Sequence, residues 1–151
     1  MNDLGKTLME KRMLGKTGLE VSVIGFGAMT IGGMFGPVDD SVSDKALHSA
    51  VDSGVNFIDT SDAYGSGRSE ELIGNFIKQR PDRDQVIVCT KGGNNMVTGK
   101  YNFTPEHIQG CVEGSLKRLG VEIIDLYLLH NPTVNDLSAK TSFDLLDDMK
   151  S

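Results

Sequence analysis

Cysteine is scarce in this sequence, and the two that occur are not arranged for metal binding or cross-linking. Cys89 and Cys111 are the only cysteines among the 151 residues. They form no CxxC pair and have no neighbouring pair of histidines, so the sequence indicates neither a disulfide framework nor a metal site. We therefore expect a protein of the reducing cytoplasm that binds no metal.

Long apolar runs and excess positive charge are missing as well. No stretch approaches the roughly 18 apolar residues of a membrane-spanning helix, and residues 1–12 lack the apolar segment of a secretory signal. The chain has 15 Lys and Arg against 21 Asp and Glu, which gives a net charge of -6. Nucleic acids and anionic membranes attract clustered positive charge. The expected partner is therefore a small molecule, with no nucleic acid and no membrane.

Glycine is abundant, but two glycine motifs fail as nucleotide-binding signatures. Gly-Lys-Thr occurs at residues 5–7 and 15–17, yet a phosphate-binding loop also needs a glycine five residues before that Gly. Glu10 stands there for the second copy, and the first copy is too close to the terminus. Residues 25–30 resemble a dinucleotide fingerprint except that Thr30 replaces its last glycine. We interpret the N-terminal segment as a tail followed by a hairpin.

Four short apolar runs, each the length of a buried parallel strand, alternate with helical patterns. The runs are residues 23–26, 55–58, 86–89 and 123–129. The first helical pattern has Ser43 as its expected N-cap and ends near Gly54. The second follows Ser69, where a hydroxyl cap and the next two glutamates suit a helix N-terminus.

The third helical pattern is the longest, and the fourth is only begun. Thr104-Pro105 opens the third and Gly120 closes it. The fourth spans about residues 142–150. Repeated strand-helix units predict an α/β fold with a parallel sheet, either a doubly wound open sheet or part of an eight-stranded barrel.

Polar side chains at the ends of successive strands favour the barrel. Asp59, Lys91 and His130 follow the second, third and fourth apolar runs. In a barrel the carboxyl ends of the strands converge on one mouth, where active sites are built. We therefore expect these three side chains to lie together.

Several segments have a specific similarity to one enzyme family. They are residues 56–65 (NFIDTSDAYG), 69–74 (SEELIG), 12–27 (RMLGKTGLEVSVIGFG) and 124–130 (IDLYLLH). Together they resemble the aldo-keto reductases. The resemblance implies a (β/α)8 TIM-barrel type of fold truncated to about the first four β/α units, a half-barrel. Residues 1–11 would then be an N-terminal tail and residues 12–151 the N-terminal half of the barrel.

The resemblance also implies a catalytic tetrad of Asp59, Tyr64, Lys91 and His130. A carbonyl that receives hydride becomes an alkoxide and needs a proton donor, for which Tyr64 is the candidate. The Lys91 ammonium would stabilise the resulting phenolate, and Asp59 would keep that ammonium charged. His130 would hydrogen-bond the carbonyl oxygen and orient it. Ser61, Asp62 and His107 have no such support, and we interpret them as a turn hydroxyl, a loop or rim residue, and a surface residue in the first turn of a helix.

The hydride itself must come from a nicotinamide, because no side chain can donate one. The resemblance implies NADP as cofactor, with NADPH preferred over NADH, and contacts from Gly27, Ala28, Met29 and Asp59. Residues 31–36, a second glycine cluster, are expected to form a mobile rim of the substrate pocket.

Two interpretations of function remain open from the sequence. One is a reductase that transfers hydride from NAD(P)H to an aldehyde or ketone. The other is a truncated non-catalytic fragment or binding module resembling the potassium-channel beta subunits. The loops after strands seven and eight, which bind phosphate in many barrels, have no counterpart in the sequence. A half-barrel would also expose its strand edges, which predicts self-association.

Overall fold

The computed structural model describes residues 9–95, 98–138 and 141–150, so most of the predicted tail lies outside the described residues. The strands are β1 (Lys11–Met13), β2 (Glu20–Ser22), β3 (Phe26–Gly27), β4 (Phe57–Asp59), β5 (Ile87–Gly92), β6 (Asn94–Asn95), β7 (Lys100–Tyr101) and β8 (Leu126–Leu129). The helices are α1 (Asp40–Asp52), α2 (Arg68–Lys78), α3 (Pro105–Leu119), α4 (Val134–Ser138) and α5 (Thr141–Met149), with a short 3-10 helix at Arg83–Gln85.

A four-stranded parallel sheet forms the centre of the molecule. Its strands lie in the order β3-β4-β5-β8, which is also their order in the chain. Helices α1 and α2 follow β3 and β4, and α3 connects β5 to β8. The predicted α/β fold of the partial-barrel type is therefore confirmed. The predicted N-terminal hairpin is the antiparallel pair β1-β2, and a second hairpin, β6-β7, was not predicted.

The first and last strands of this sheet start later than the apolar runs predict. Val23 and Ile24 are 46% and 60% exposed and precede β3. The chain there is held by side chains instead, because the Ser22 N–H donates to Asn56 Oδ1 at 2.6 Å and the Asn56 N–H donates to Ser22 Oγ at 3.0 Å. Ile123 is 76% exposed and lies before β8. An apolar run thus extends beyond the residues that pair.

The helix starts were predicted less well than the helices themselves. Ser43 is not the cap of α1: Asp39 is, and its side chain accepts from the Ser41 N–H. Ser69 is not the cap of α2, which begins after Gly67 in the left-handed region at φ 92°. Ser69 lies inside the helix, fully buried.

The third helix matches its prediction. Thr104 is its N-cap residue and Pro105 its first residue, and Gly120 ends it in the left-handed region at φ 67°. Thr104 makes no capping hydrogen bond with its side chain. Helix α5 (Thr141–Met149) corresponds to the predicted segment at residues 142–150.

The apolar core lies between the central sheet and the helices that cover it. Ile58 of β4 and Val88 of β5 are paired in register, and both side chains belong to this core. The other members are Ala28, Ile31, Leu47, Ile73, Phe76, Ile77, Val86 and Leu119. This packing fixes the strands to one another and so positions the side chains at their carboxyl ends. In the described part of the chain, no helix is long and apolar enough to cross a membrane.

Candidate active site

The structure brings the four predicted catalytic residues together. Asp59 is the last residue of β4, Lys91 is near the end of β5, and His130 directly follows β8. The strands are parallel and paired, so these ends lie along one edge of the sheet. Tyr64 reaches the same place from the loop between β4 and α2.

Lys91 is the centre of this cluster. Its Nζ donates to Asp59 Oδ1 at 2.7 Å and to the Thr60 carbonyl oxygen at 2.8 Å. The same Nζ lies 5.2 Å from the centre of the Tyr64 ring, within the range of a cation–π contact. The ammonium therefore lies between a carboxylate and a phenol. Its side chain is only 15% exposed, so solvent screens this charge less than it would at the surface.

His130 packs edge-on against Tyr64, with ring centres 5.8 Å apart and an interplanar angle of 89°. Its backbone N–H donates to the Gly92 carbonyl oxygen at 2.7 Å, which fixes the residue to the end of β5. Burial, with the Lys91 ammonium as a second cause, lowers the pKa of His130 below its ordinary value of 6.5. The ring is therefore neutral at neutral pH.

Tyr64 is positioned by two closely approaching loops. A Cβ on Gly32 would lie 2.9 Å from the Tyr64 carbonyl carbon, and one on Gly65 would lie 2.0 Å from the Gly32 carbonyl oxygen. Arg68 fastens the same loops, because its Nη1 donates to the Ile31 carbonyl oxygen at 2.9 Å. Residues 31–36, predicted to be a mobile rim, are thus anchored at their start, where Ile31 is 4% exposed.

The predicted cofactor contacts differ in their exposure. Gly27 is exposed, and a Cβ there would meet no atom within 4 Å. Met29 is half-buried. Ala28 is fully buried; its N–H donates to the Asp59 carbonyl oxygen at 2.8 Å, and its own carbonyl accepts from Ser69 Oγ at 3.0 Å. Ala28 therefore anchors this loop, whereas Gly27, which pairs with Asp59 in the sheet, and Met29 are accessible to solvent.

Of the three residues without a predicted role, Ser61 and Asp62 lie beside the cluster. Ser61 makes the expected turn bond, from the Ala63 N–H to its Oγ at 3.1 Å, but its Oγ also lies 2.8 Å from His130 Nδ1. Asp62 lies in the loop between β4 and α2, but it is not on a rim, since it is 3% exposed and burial raises its pKa. His107 lies in the first turn of α3 as predicted. In the sequence, the one indication of a role for Ser61 is its position two residues after Asp59.

No group of three or more His, Cys, Asp or Glu side chains within residues 9–95, 98–138 and 141–150 is placed to hold a metal ion. The cluster is instead an ammonium held by a carboxylate, next to a phenol and a neutral imidazole. Such a set can hold and donate protons beside a polar oxygen.

A sequence model of the Aldo/keto reductase family matches residues 23–151. Aldo-keto reductase YhdN of Bacillus subtilis is 43% identical over 129 residues, which are 82% of this chain and 38% of the relative. Aldo-keto reductase yakc [NADP(+)] of Schizosaccharomyces pombe is 41% identical over 114 residues, 73% of this chain and 34% of the relative. This chain therefore covers between 34% and 38% of the length of these curated relatives.

Solved structures give the same result. The holo form of aldo-keto reductase AKR11C1 from Bacillus halodurans superimposes with a TM-score of 0.83 at 33% identity, over 94% of this chain and 46% of that one. Glycerol dehydrogenase AKR11B4 from Gluconobacter oxydans superimposes with a TM-score of 0.76 at 33% identity, with the same two coverages of 94% and 46%.

Proposed function

Because this chain belongs to the aldo/keto reductase family, we propose that it supplies the catalytic residues of an oxidoreductase that reduces an aldehyde or ketone with NADPH. The observation that carries the proposal is the joining of Asp59, Tyr64, Lys91 and His130 at one sheet edge. The preference for NADPH rests on the NADP(+) in the name of the fission-yeast relative. The free thiols of Cys89 and Cys111 suit a cytoplasmic location.

Tyr64 acts as the general acid in this proposal. Its hydroxyl gives a proton to the carbonyl oxygen as negative charge develops there. The Lys91 ammonium beside the ring stabilises the phenolate that remains. Asp59 keeps that ammonium charged and in place through the 2.7 Å ion pair.

His130 orients the substrate. Its lowered pKa keeps the imidazole neutral, so it can hydrogen-bond the carbonyl oxygen without competing with Tyr64 as the proton source. Gly27, Met29 and Asp59 would contact the nicotinamide, and Ala28 would hold their loop in place. The nicotinamide, when bound, supplies the hydride that no side chain can provide.

A second part of the proposal concerns association. Among the described residues, no strand pairs with the outer edge of β3 or of β8, the two end strands of the central sheet. Unpaired strand edges are templates for pairing with another chain. We propose that the 151-residue chain self-associates through them.

The function is tested in a chimera in which residues 23–151 replace the matching segment of the 43%-identical Bacillus relative. We expect this chimera to oxidise NADPH when given an aromatic aldehyde. Replacing Tyr64 with Phe removes the proton donor at almost constant volume, so turnover should fall by roughly 100-fold or more. NADPH affinity, followed by fluorescence, should stay nearly unchanged.

Tyr127→Phe is the matched control. The Tyr127 hydroxyl is buried without a hydrogen-bond partner among the described residues, and a Cβ on Gly92 would lie 1.9 Å from it. Its removal should leave turnover intact. If Tyr64→Phe kept the turnover of the control, Tyr64 would not be the acid. If the parent chimera bound NADPH but reduced no carbonyl, the proposed function would be wrong.

A further inference from the structure

Ser61 makes a set of contacts that an ordinary turn serine does not need. Its side chain is fully buried. Its Oγ lies 2.8 Å from His130 Nδ1, 3.1 Å from Asp62 Oδ1 and 3.2 Å from the Lys91 carbonyl oxygen. It also accepts from the Ala63 N–H at 3.1 Å. One hydroxyl thus touches the imidazole, the backbone of Lys91 and its own turn.

The hydroxyl has one proton to give, and the distances indicate where it goes. A serine carries one O–H donor and two acceptor lone pairs, of which the Ala63 N–H uses one. Ser61 Oγ is within donating distance of three acceptors, and hydroxyl donors prefer separations of about 2.7–2.8 Å. The contacts with Asp62 Oδ1 and the Lys91 carbonyl oxygen are longer than that, at 3.1 Å and 3.2 Å. The contact with His130 Nδ1, at 2.8 Å, has the preferred length.

We propose that Ser61 is a positioning residue that donates its proton to His130 Nδ1 and so holds the imidazole in the tautomer with its own proton on Nε2. A neutral imidazole has a single N–H, and the partner of one nitrogen decides which nitrogen carries it. The backbone bond to Gly92 then fixes the position of the residue, and Ser61 fixes the orientation of its ring.

This assignment deepens the proposed function and depends on it for its consequence. A carbonyl oxygen can only accept a hydrogen bond, so a useful His130 must present an N–H to it. With Nδ1 occupied by the Ser61 proton, Nε2 has that N–H. In the opposite tautomer Nε2 would present a lone pair and repel the substrate oxygen.

The experiment uses the nitrogen-15 chemical shifts of the histidine rings, which differ between the two tautomers. The chain has three histidines, and a His130→Asn variant identifies the signal of interest. At mildly alkaline pH we expect His130 of the wild type to show protonated Nε2 and bare Nδ1. Ser61→Ala should move the signals toward the opposite tautomer. In the chimera it should also lower kcat by about tenfold, which corresponds to an activation barrier higher by about 1.4 kcal/mol.

Ser115→Ala is the matched control, because Ser115 is also a fully buried serine but lies on α3 beside Arg118. It should keep both the wild-type tautomer and kcat. Wild-type signals that place the proton on Nδ1 would overturn the assignment, and so would a folded Ser61→Ala variant with wild-type signals. The wild-type spectrum alone shows which ring nitrogen of His130 carries the proton, so it tests the assignment even if Ser61→Ala fails to fold.

The tautomer measurement needs no turnover, so it separates the two proposals. An inactive parent chimera whose His130 carries its proton on Nε2 would contradict the reductase function and leave the Ser61 assignment standing.

Discussion

His130 combines two influences that act on its charge in the same direction. Half-burial disfavours the imidazolium, and the nearby Lys91 ammonium disfavours it further. The same ammonium is held by Asp59 at 2.7 Å. The two members of this ion pair act on His130 in opposite senses: the Lys91 ammonium lowers its pKa, and the Asp59 carboxylate raises it.

The lowered pKa of His130 predicts how stability depends on pH. Between the ordinary value of 6.5 and the lower folded value, the unfolded chain binds a proton that the folded chain does not. The free energy of unfolding must therefore fall as pH falls through this window. His130→Gln removes this contribution, so the variant should lose less stability than the wild type from pH 7 to about pH 5. Urea unfolding at several pH values measures both slopes.

Asp62 is also protonated when the protein is acidified. Because burial raises its pKa in the folded state, its protonation makes the free energy of unfolding rise as pH falls, which is opposite to the effect of His130. It is present in the wild type and in His130→Gln, so the difference between their slopes reports on His130. Parallel slopes would mean that the folded imidazole titrates near its ordinary pKa.

At the scale of single residues, the sequence predicted the members of the cluster but not their supports. Asp59, Lys91 and His130 could be predicted because strand ends in a parallel sheet share an edge. Tyr64 followed from the resemblance. The contact between Ser61 and His130 joins residues 69 positions apart, and only the packed sheet brings them to 2.8 Å. The burial of Asp62 likewise depends on the packed sheet, so the sequence could not predict it.

Among the elements, a buried ion pair connects α2, α3 and β5. Glu70 of α2 is fully buried, and its Oε2 accepts from Arg118 Nε of α3 at 2.6 Å. Its Oε1 accepts from the Thr90 hydroxyl of β5 at 2.5 Å. A buried carboxylate is costly unless it is paired and hydrogen-bonded, and this one has both kinds of partner.

Removing the cation should therefore destabilise the protein. Arg118→Met retains most of the aliphatic volume but leaves the Glu70 carboxylate with the Thr90 hydroxyl alone. The free energy of unfolding should fall by about 3 kcal/mol, the lower end of the range for a broken buried pair, because Arg118 is 23% exposed. Denaturant unfolding gives the value.

Lys117→Met, at the exposed neighbouring position of the same helix, is the control and should change stability little. An Arg118→Met protein as stable as this control would show that Glu70 can do without its cation. A double variant, Glu70→Leu with Arg118→Met, should recover part of the loss, because no unpaired charge stays buried.

Element types were predictable from the sequence, and their ends were not. The spacing of apolar residues follows from which side chains are buried. It repeats along the whole length of a strand or helix and so indicates the type of element. Helix caps depend on single contacts. Asp39, and not Ser43, caps α1 because the Asp39 side chain accepts from the Ser41 N–H. The Ser69 hydroxyl bonds Thr60 and the Ala28 carbonyl oxygen, and so connects α2 to the residues that directly follow β4 and β3.

At the scale of the whole molecule, exposed apolar side chains lie on β8 and on the segments before and after it. Ile123, Leu128 and Val134 are 76%, 39% and 78% exposed. A groove of about 540 Å³ is lined by residues of α3, β8, α5 and the segment before β8, and its lining includes the apolar side chains of Ile123, Leu126 and Leu146 as well as charged ones. Exposed apolar surface beside an unpaired strand edge favours association.

The 151-residue chain should therefore form dimers or larger species, with the sedimentation coefficient rising with concentration. Leu128→Lys places a charge on β8 and should shift the population toward monomer. Val42→Lys adds the same charge at a 57% exposed position on α1 and should not. Sedimentation velocity of the wild type, Leu128→Lys and Val42→Lys measures the association state of each. A wild type that is monomeric at all concentrations would contradict the prediction.

The strands of the central sheet stand in the same order in space as in the chain. Each strand therefore joins an edge left by the strand made before it, and none has to be inserted between two that are already paired. During synthesis, β4 can dock on β3 while β5 is still inside the ribosome, and β8 needs only β5 to be in place. The sheet can thus grow in the direction of translation, one strand-helix unit at a time.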